Sequence, residues 1–193
     1  MTRLSKMFCA AVVAATFTPL AAAHAQATEA SMSPSRYALE LYLAQYSFDA
    51  GESRTGIGGF GARVMFGHSD ATRTLSSFFS RARAGAFLTY TAEQKDITTL
   101  HVGGQADFPL FATPVANGFL DPFVSLGAGV FRTSVSAVGV DDSQTHFALT
   151  PAAGTLIPIT GSIAIRGDLR SVIIFADNTT NNFVAEGGIS IGF

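Results

Sequence analysis

The stretch Phe183-Val-Ala-Glu-Gly-Gly-Ile-Ser-Ile-Gly-Phe193 decides how this chain is read. Phe183, Ala185, Gly187, Ile189, Ile191 and Phe193 occupy every second position, with Glu186 and Ser190 among the residues between them. Side chains of a β-strand point alternately to opposite faces, and a tilted strand of roughly nine to eleven residues crosses a bilayer. The segment therefore has the period and length of a membrane-spanning strand, and it ends on an aromatic residue.

The same period recurs upstream. Strand one, over about 36–48, sets Tyr37, Leu39, Leu41 and Leu43 against Ala38, Glu40, Tyr42 and Ala44. Strand two, over about 58–67, sets Phe60, Ala62, Val64 and Phe66 against Gly61, Arg63 and Met65, with residues 49–56 as the polar loop between them. Strand three (81–92) and strand four (100–108) are joined by a tight turn at 93–96. Strand five covers 120–132. Strand six, 146–156, is the least regular, because Pro151 cannot donate to a ladder. Strand seven, 162–175, alternates Ile163, Ile165, Leu169 and Ile173 with Ala164, Arg166, Asp168 and Arg170. Eight antiparallel strands with one apolar and one mixed face predict an all-β, up-and-down closed barrel, because open edges cannot be hydrogen-bonded in lipid.

Ahead of the strands, Arg3 and Lys6 precede an apolar run over 7–20 and the small-x-small sites Ala23-His-Ala25 and Ala25-Gln-Ala27. This predicts a signal peptide over 1–25, cleaved after Ala25 or Ala27, then a flexible periplasmic leader over 26–35 and a barrel over 36–193. Cys9 lies in the signal, so thiol chemistry is not expected in the mature chain. Losing Arg3 and Lys6 takes the basic residues from 12 to 10 against 14 acidic ones, moving the formal charge from -2 to -4. Nothing in that balance attracts nucleic acid.

A soluble barrel would pattern in the same way, with its apolar face inward. Two features favour the inverted arrangement. Only 13% of residues are charged, and Lys95 is the one lysine beyond the signal, whereas an outward face in water normally carries many. The second face instead carries Glu40, Arg63, Arg166, Asp168, Arg170 and Glu186, which fits a packed polar interior. These six are the expected lumen charge network. Glu40 and Arg63 meet if the loop between them centres near Glu52, and a register pairing Ile173 with Phe183 sets Arg170 across from Glu186. An eight-stranded interior is just wide enough to be filled by side chains, so a continuous water channel is not expected.

Other motifs are weaker. Gly56, Gly58 and Gly61 match G-x-G-x-x-G, but a strand follows them where a nucleotide site needs a helix. His68, His101 and His146 lie at separate places, and no cluster of histidine, serine and acid emerges; catalytic residues, cofactors and a metal site are not expected. Asp141-Asp142-Ser143-Gln144, in the loop after strand five, reads as a solvated acidic loop, and Asn178-Thr-Thr180 as turn chemistry. Tyr37, Phe66, Phe108 and Phe193 fall at one set of strand ends and Phe60, Tyr90, Phe147 and Phe183 at the other, as two aromatic girdles would.

Gly103-Gly-Gln-Ala-Asp-Phe-Pro109, Asp121-Pro-Phe-Val-Ser-Leu-Gly-Ala-Gly-Val-Phe131, Ile165-Arg-Gly-Asp-Leu-Arg170 and the terminal strand carry a resemblance. The chain resembles the small eight-stranded outer-membrane β-barrels, of the kind seen in the transmembrane domain of outer membrane protein A. The resemblance implies a Gram-negative outer membrane, lipid and lipopolysaccharide as surroundings, and insertion by the outer-membrane assembly machinery, which would read Ile189, Ile191 and Phe193. The expectation is a monomeric, non-enzymatic envelope protein with a structural or surface-interaction role. The alternatives are an enzyme that modifies lipid A and a secreted, soluble, lipocalin-like barrel.

Overall fold

The computed structural model describes residues 37–50, 53–67, 81–94, 97–137 and 140–193. The expected signal peptide, the leader, Arg36, His68 and Lys95 lie outside the described residues. Eight strands follow one another: β1 (Tyr37–Ala50), β2 (Ser53–Phe66), β3 (Arg83–Gln94), β4 (Ile97–Pro109), β5 (Asp121–Ala137), β6 (Val140–Pro158), β7 (Ile163–Phe175) and β8 (Thr180–Gly192). Each pairs antiparallel with its sequence neighbours, and β1 pairs with β8 to close the barrel. Closure is completed at the chain end, where Tyr37 N–H donates to Phe193 C=O at 3.3 Å and Phe193 N–H donates to Tyr37 C=O at 3.0 Å. Among the described residues every strand is paired on both sides through the middle of the wall, which is what lipid demands of a sheet.

Alternation sets the two faces. Leu41, Leu43, Leu126, Leu169 and Ile189 point outward and are more than half exposed, whereas Glu40, Arg63, Arg166 and Arg170 on the intervening positions are almost wholly buried. An exterior of leucine, isoleucine and valine around a charged interior is the inverse of a protein folded in water. It is stable where the surrounding medium is itself apolar. At the end of the barrel that carries the chain terminus, here the base, Phe193 stacks on Tyr37 at 6.0 Å and Tyr37 meets Phe66 edge-on at 5.9 Å. Toward the opposite, loop end, Phe60 packs on Tyr90 at 5.6 Å and Phe147 on Phe175 at 5.8 Å.

Three details differ from the sequence reading. Strands β1 and β2 stay paired to Ala50↔Ser53, so most of the expected 49–56 loop is ladder. Strands β5 and β6 likewise pair as far as Ala137↔Val140, which places Asp141-Asp142-Ser143-Gln144 in β6 rather than in a loop. Thr133, Ser134, Asp142, Ser143 and Gln144 make much of that ribbon polar, so the apolar alternation fades where the strands continue. Finally, Ser171 rather than Ile173 lies opposite Phe183, because the β7–β8 hairpin is tighter than the expected register assumed. Pro151 does sit within β6, exposed and opposite Leu126, and the β6–β7 ladder is interrupted beside it.

Candidate functional site

The lumen divides along the barrel axis. Nearest the base lies an apolar cluster of Phe123, Leu156 and Ala164. A band of charge follows, and above it a second apolar cluster of Tyr42, Ala44, Tyr46, Phe131, Ala148, Val172, Ile174 and Val184 fills the loop half.

The charged band holds four arginines, Arg63, Arg83, Arg166 and Arg170, and four carboxylates, Glu40, Asp107, Asp168 and Glu186. Arg63 Nη1 donates to Glu40 Oε2 at 3.0 Å and its Nη2 to Glu186 Oε2 at 2.5 Å. Arg166 Nε donates to Asp168 Oδ2 at 2.9 Å, while its Nη1 reaches Asp107 Oδ2 at 2.5 Å and lies 3.3 Å from Glu40. Arg83 pairs with Asp107 at 3.1 Å and Glu40 at 3.2 Å. Glu40 thus faces three guanidinium groups, and Ser190 Oγ also donates to it at 3.2 Å. Planar guanidinium forks suit this work, because one arginine can donate to several carboxylates at once. Equal numbers of each sign leave the band without net charge, the condition under which buried ions are tolerated.

The wall holds three of the four arginine planes against rings. Arg63 lies 4.5 Å above the Tyr42 ring, Arg166 4.2 Å above Phe123 and Arg170 5.4 Å above Phe87. These rings occupy space that glycine leaves on the neighbouring strand. Tyr42 pairs with Gly61 on β2, where an added Cβ would run into its ring, and Phe123 pairs with Gly154 on β6, where a Cβ would come within 2.7 Å of its ring edge. Glycine at these positions lets an aromatic ring lie against the wall. Stacking on a ring is worth roughly 0.5–2 kcal/mol per arginine and fixes the fork's direction. Tyr42 is held in turn by its hydroxyl, 2.8 Å from Thr89 Oγ1.

All six sequence-predicted charges are therefore in this band, and the structure brings them together. Glu40 and Arg63 are direct cross-strand partners. Arg170 and Glu186 meet diagonally, Nη2 to Oε2 at 3.4 Å, because Asp168 is the residue directly across from Glu186. Sequence reasoning left out Arg83, Asp107 and Gln105, which donates to Asp107 at 2.8 Å and accepts from Arg170 at 3.1 Å. Their alternation with outward-facing Ala84, Ala106 and Phe108 was the available signal. Ile189, Ile191 and Phe193 all lie on the outward face and are exposed.

The two described histidines have separate surroundings. His101 is buried in the loop half, edge-on to Phe87 at 4.7 Å and Phe131 at 5.5 Å, and His146 Nε2 lies 3.3 Å from Gln144 Oε1 near the loop end. Among the described residues no three histidines, cysteines or carboxylates are grouped as metal ligands.

Solved structures similar to this one include outer-membrane barrels. Neisserial surface protein A has a TM-score of 0.60 at 17% identity, covering 82% of this chain and 98% of its own. The N-terminal β-barrel domain of Pseudomonas aeruginosa OprF gives 0.52 at 14% identity, with 81% and 97% covered. Ail, the attachment invasion locus protein of Yersinia pestis, gives 0.51 at 13%, with 81% and 96% covered. At these identities the likeness shows the fold alone. A comparison with curated proteins finds no match. The sequence itself matches the family described as the outer membrane protein beta-barrel domain over residues 11–193. The chain belongs to the outer membrane protein beta-barrel domain family and resides in the outer membrane of a Gram-negative bacterium.

Proposed function

We propose that this protein is a monomeric, non-catalytic envelope barrel whose role is structural or surface-interacting, not transport or lipid chemistry. One observation carries the reading. Among the described residues the buried lumen side chains form two apolar clusters, and the charges between them are paired in place. Such an interior neither passes solutes nor presents a free acid or base to a substrate. Among the described residues a surface left for interaction is the end of the β5–β6 ribbon, where Arg132 Nη2 donates to Ser143 Oγ at 3.2 Å and Gln144 to Asp142 at 3.4 Å. The outward Ile189, Ile191 and Phe193 would serve beforehand as the signal read by the assembly machinery.

The test is reconstitution of the folded barrel in planar bilayers and, separately, in vesicles containing lipopolysaccharide. The expected results are no discrete conductance steps at either polarity and an unchanged lipid A mass spectrum after prolonged incubation. Reproducible unitary steps, or loss or gain of an acyl chain, would refute the proposal.

A further inference from the structure

The base connection over residues 110–120, Leu110-Phe-Ala-Thr-Pro-Val-Ala-Asn-Gly-Phe-Leu120, is unlike a segment made for water. It contains no charged residue in eleven, although it joins β4 to β5 at the rim of the barrel. It is nevertheless folded. Val115 and Leu120 exchange backbone hydrogen bonds at 2.7 and 3.1 Å, and Phe119 N–H donates to Ala116 C=O at 3.2 Å. Ala116, Asn117 and Gly118 take φ of 53°, 57° and 88°, a left-handed tip to which Asn-Gly is suited.

The turn is also fastened to the barrel. Leu110 N–H donates to Pro122 C=O at 2.9 Å, and Arg81 joins it from the neighbouring β3 side, donating to Phe111 C=O at 3.0 Å while pairing with Asp121. Those bonds give the turn a charged side. Its other side is apolar: Leu110 and Phe111 are each about half exposed, at 46% and 49%. Leu110 continues the outward face of β4 beyond Phe108, so this surface runs on without a break from the lipid-facing wall. Ile159, in the next base turn, is exposed to the same degree at 45%.

We infer that residues 110–120 form a membrane-seated foot, with Leu110 and Phe111 inserted among the phospholipids of the leaflet at the base of the barrel. The occupant of this apolar surface is lipid because the surface is continuous with one that lipid already covers. Anchors at the interface fix the depth and tilt of a spanning protein. A foot on one side of the base, held by Arg81, would set both while leaving the lumen unchanged.

The chain contains no tryptophan, so a single introduced one reports its own surroundings. Full barrels carrying F111W, or L110W as a second reporter, are refolded into phosphatidylcholine vesicles brominated at shallow or deep acyl positions, with folding checked by heat-modifiable migration. L126W on the outward wall and D177W in the exposed β7–β8 turn serve as the immersed and aqueous references. The expected result is blue-shifted emission from F111W and L110W, most of it lost to shallow bromines, less to deep ones, and protected from iodide. Red-shifted, iodide-quenched emission like that of D177W would overturn the inference. So would blue-shifted emission that no bromine quenches and that depends on protein-to-lipid ratio, because a second copy would then be the occupant.

Discussion

Between Arg83 and Arg170 the base half of the lumen holds eight charged groups, four of each sign. From Tyr46 to Ile174 the loop half holds rings, aliphatic side chains and uncharged polar groups such as Thr89, Thr91, Thr99 and His101. The two halves share one wall and one inward-facing parity, so backbone geometry cannot explain the difference. Mutual dependence can. In the base half each ion is tolerable only because its partners are present, whereas in the loop half each side chain contributes its own packing. The base half should therefore fail cooperatively and the loop half locally.

The largest expected effect comes from breaking the charge balance. Arg166 faces Glu40, Asp107 and Asp168, and Arg166→Met leaves three buried carboxylates with fewer cations. Removing one partner from a buried ionic group costs about 3–5 kcal/mol. Urea unfolding of vesicle-folded protein, followed by heat-modifiable migration, measures this. A cost below ~1 kcal/mol would show that the ions are solvated individually and that the contrast between the halves is false.

Next is a change outside the lumen altogether. Leu169 lies midway along β7 on the outward face and is among the most exposed side chains of the wall. Leu169→Arg should destabilise by about 2–4 kcal/mol if that face is at the bilayer midplane. The same substitution on a water-facing wall would be nearly silent, so this variant tests the inversion that gives the lumen its role.

A smaller effect is expected where the halves meet. Gly61→Ala pushes a methyl group into the Tyr42 ring and toward the Leu88 carbonyl, and Tyr42 is the platform under Arg63. Overpacking of this kind costs about 1–3 kcal/mol. Tyr42→Leu in the same chain should recover part of that loss by freeing the space, measured by the same unfolding assay.

These contrasts were only partly legible in the sequence. Period-two alternation assigned Glu40, Arg63, Arg166, Asp168, Arg170 and Glu186 to one face, because strand parity survives any error in strand ends. It also survives the two-residue slip of the β7–β8 register, which moves no side chain to the other face. Alternation says nothing of turn length, and so the diagonal geometry of Arg170 and Glu186 was not readable. Nor could it show that Asp107 on β4 meets Arg166 on β7 across the lumen, a contact created by closure and tilt rather than by neighbouring strands. The ring platforms were hidden for a related reason. Tyr42 and Gly61, or Phe123 and Gly154, look unremarkable until the register sets one against the other.

The smallest expected change is the most direct test of the contrast, because its sign should differ. His101 is a buried polar residue in the loop half, as deeply enclosed as Arg63 in the base half. Its Nε2 has no hydrogen-bond partner among the described residues, and its ring is packed edge-on against Phe87 and Phe131. An apolar replacement of similar shape removes an unmet polar group without stranding another, a change that can be neutral or stabilising. His101→Leu should therefore shift stability by no more than ~1 kcal/mol, in the favourable direction if in either. Measured beside Arg166→Met in one membrane and one assay, a comparable large loss at His101 would mean that the loop half is also a coupled polar network. The division of the lumen into an interdependent half and an independent half would then have to be abandoned.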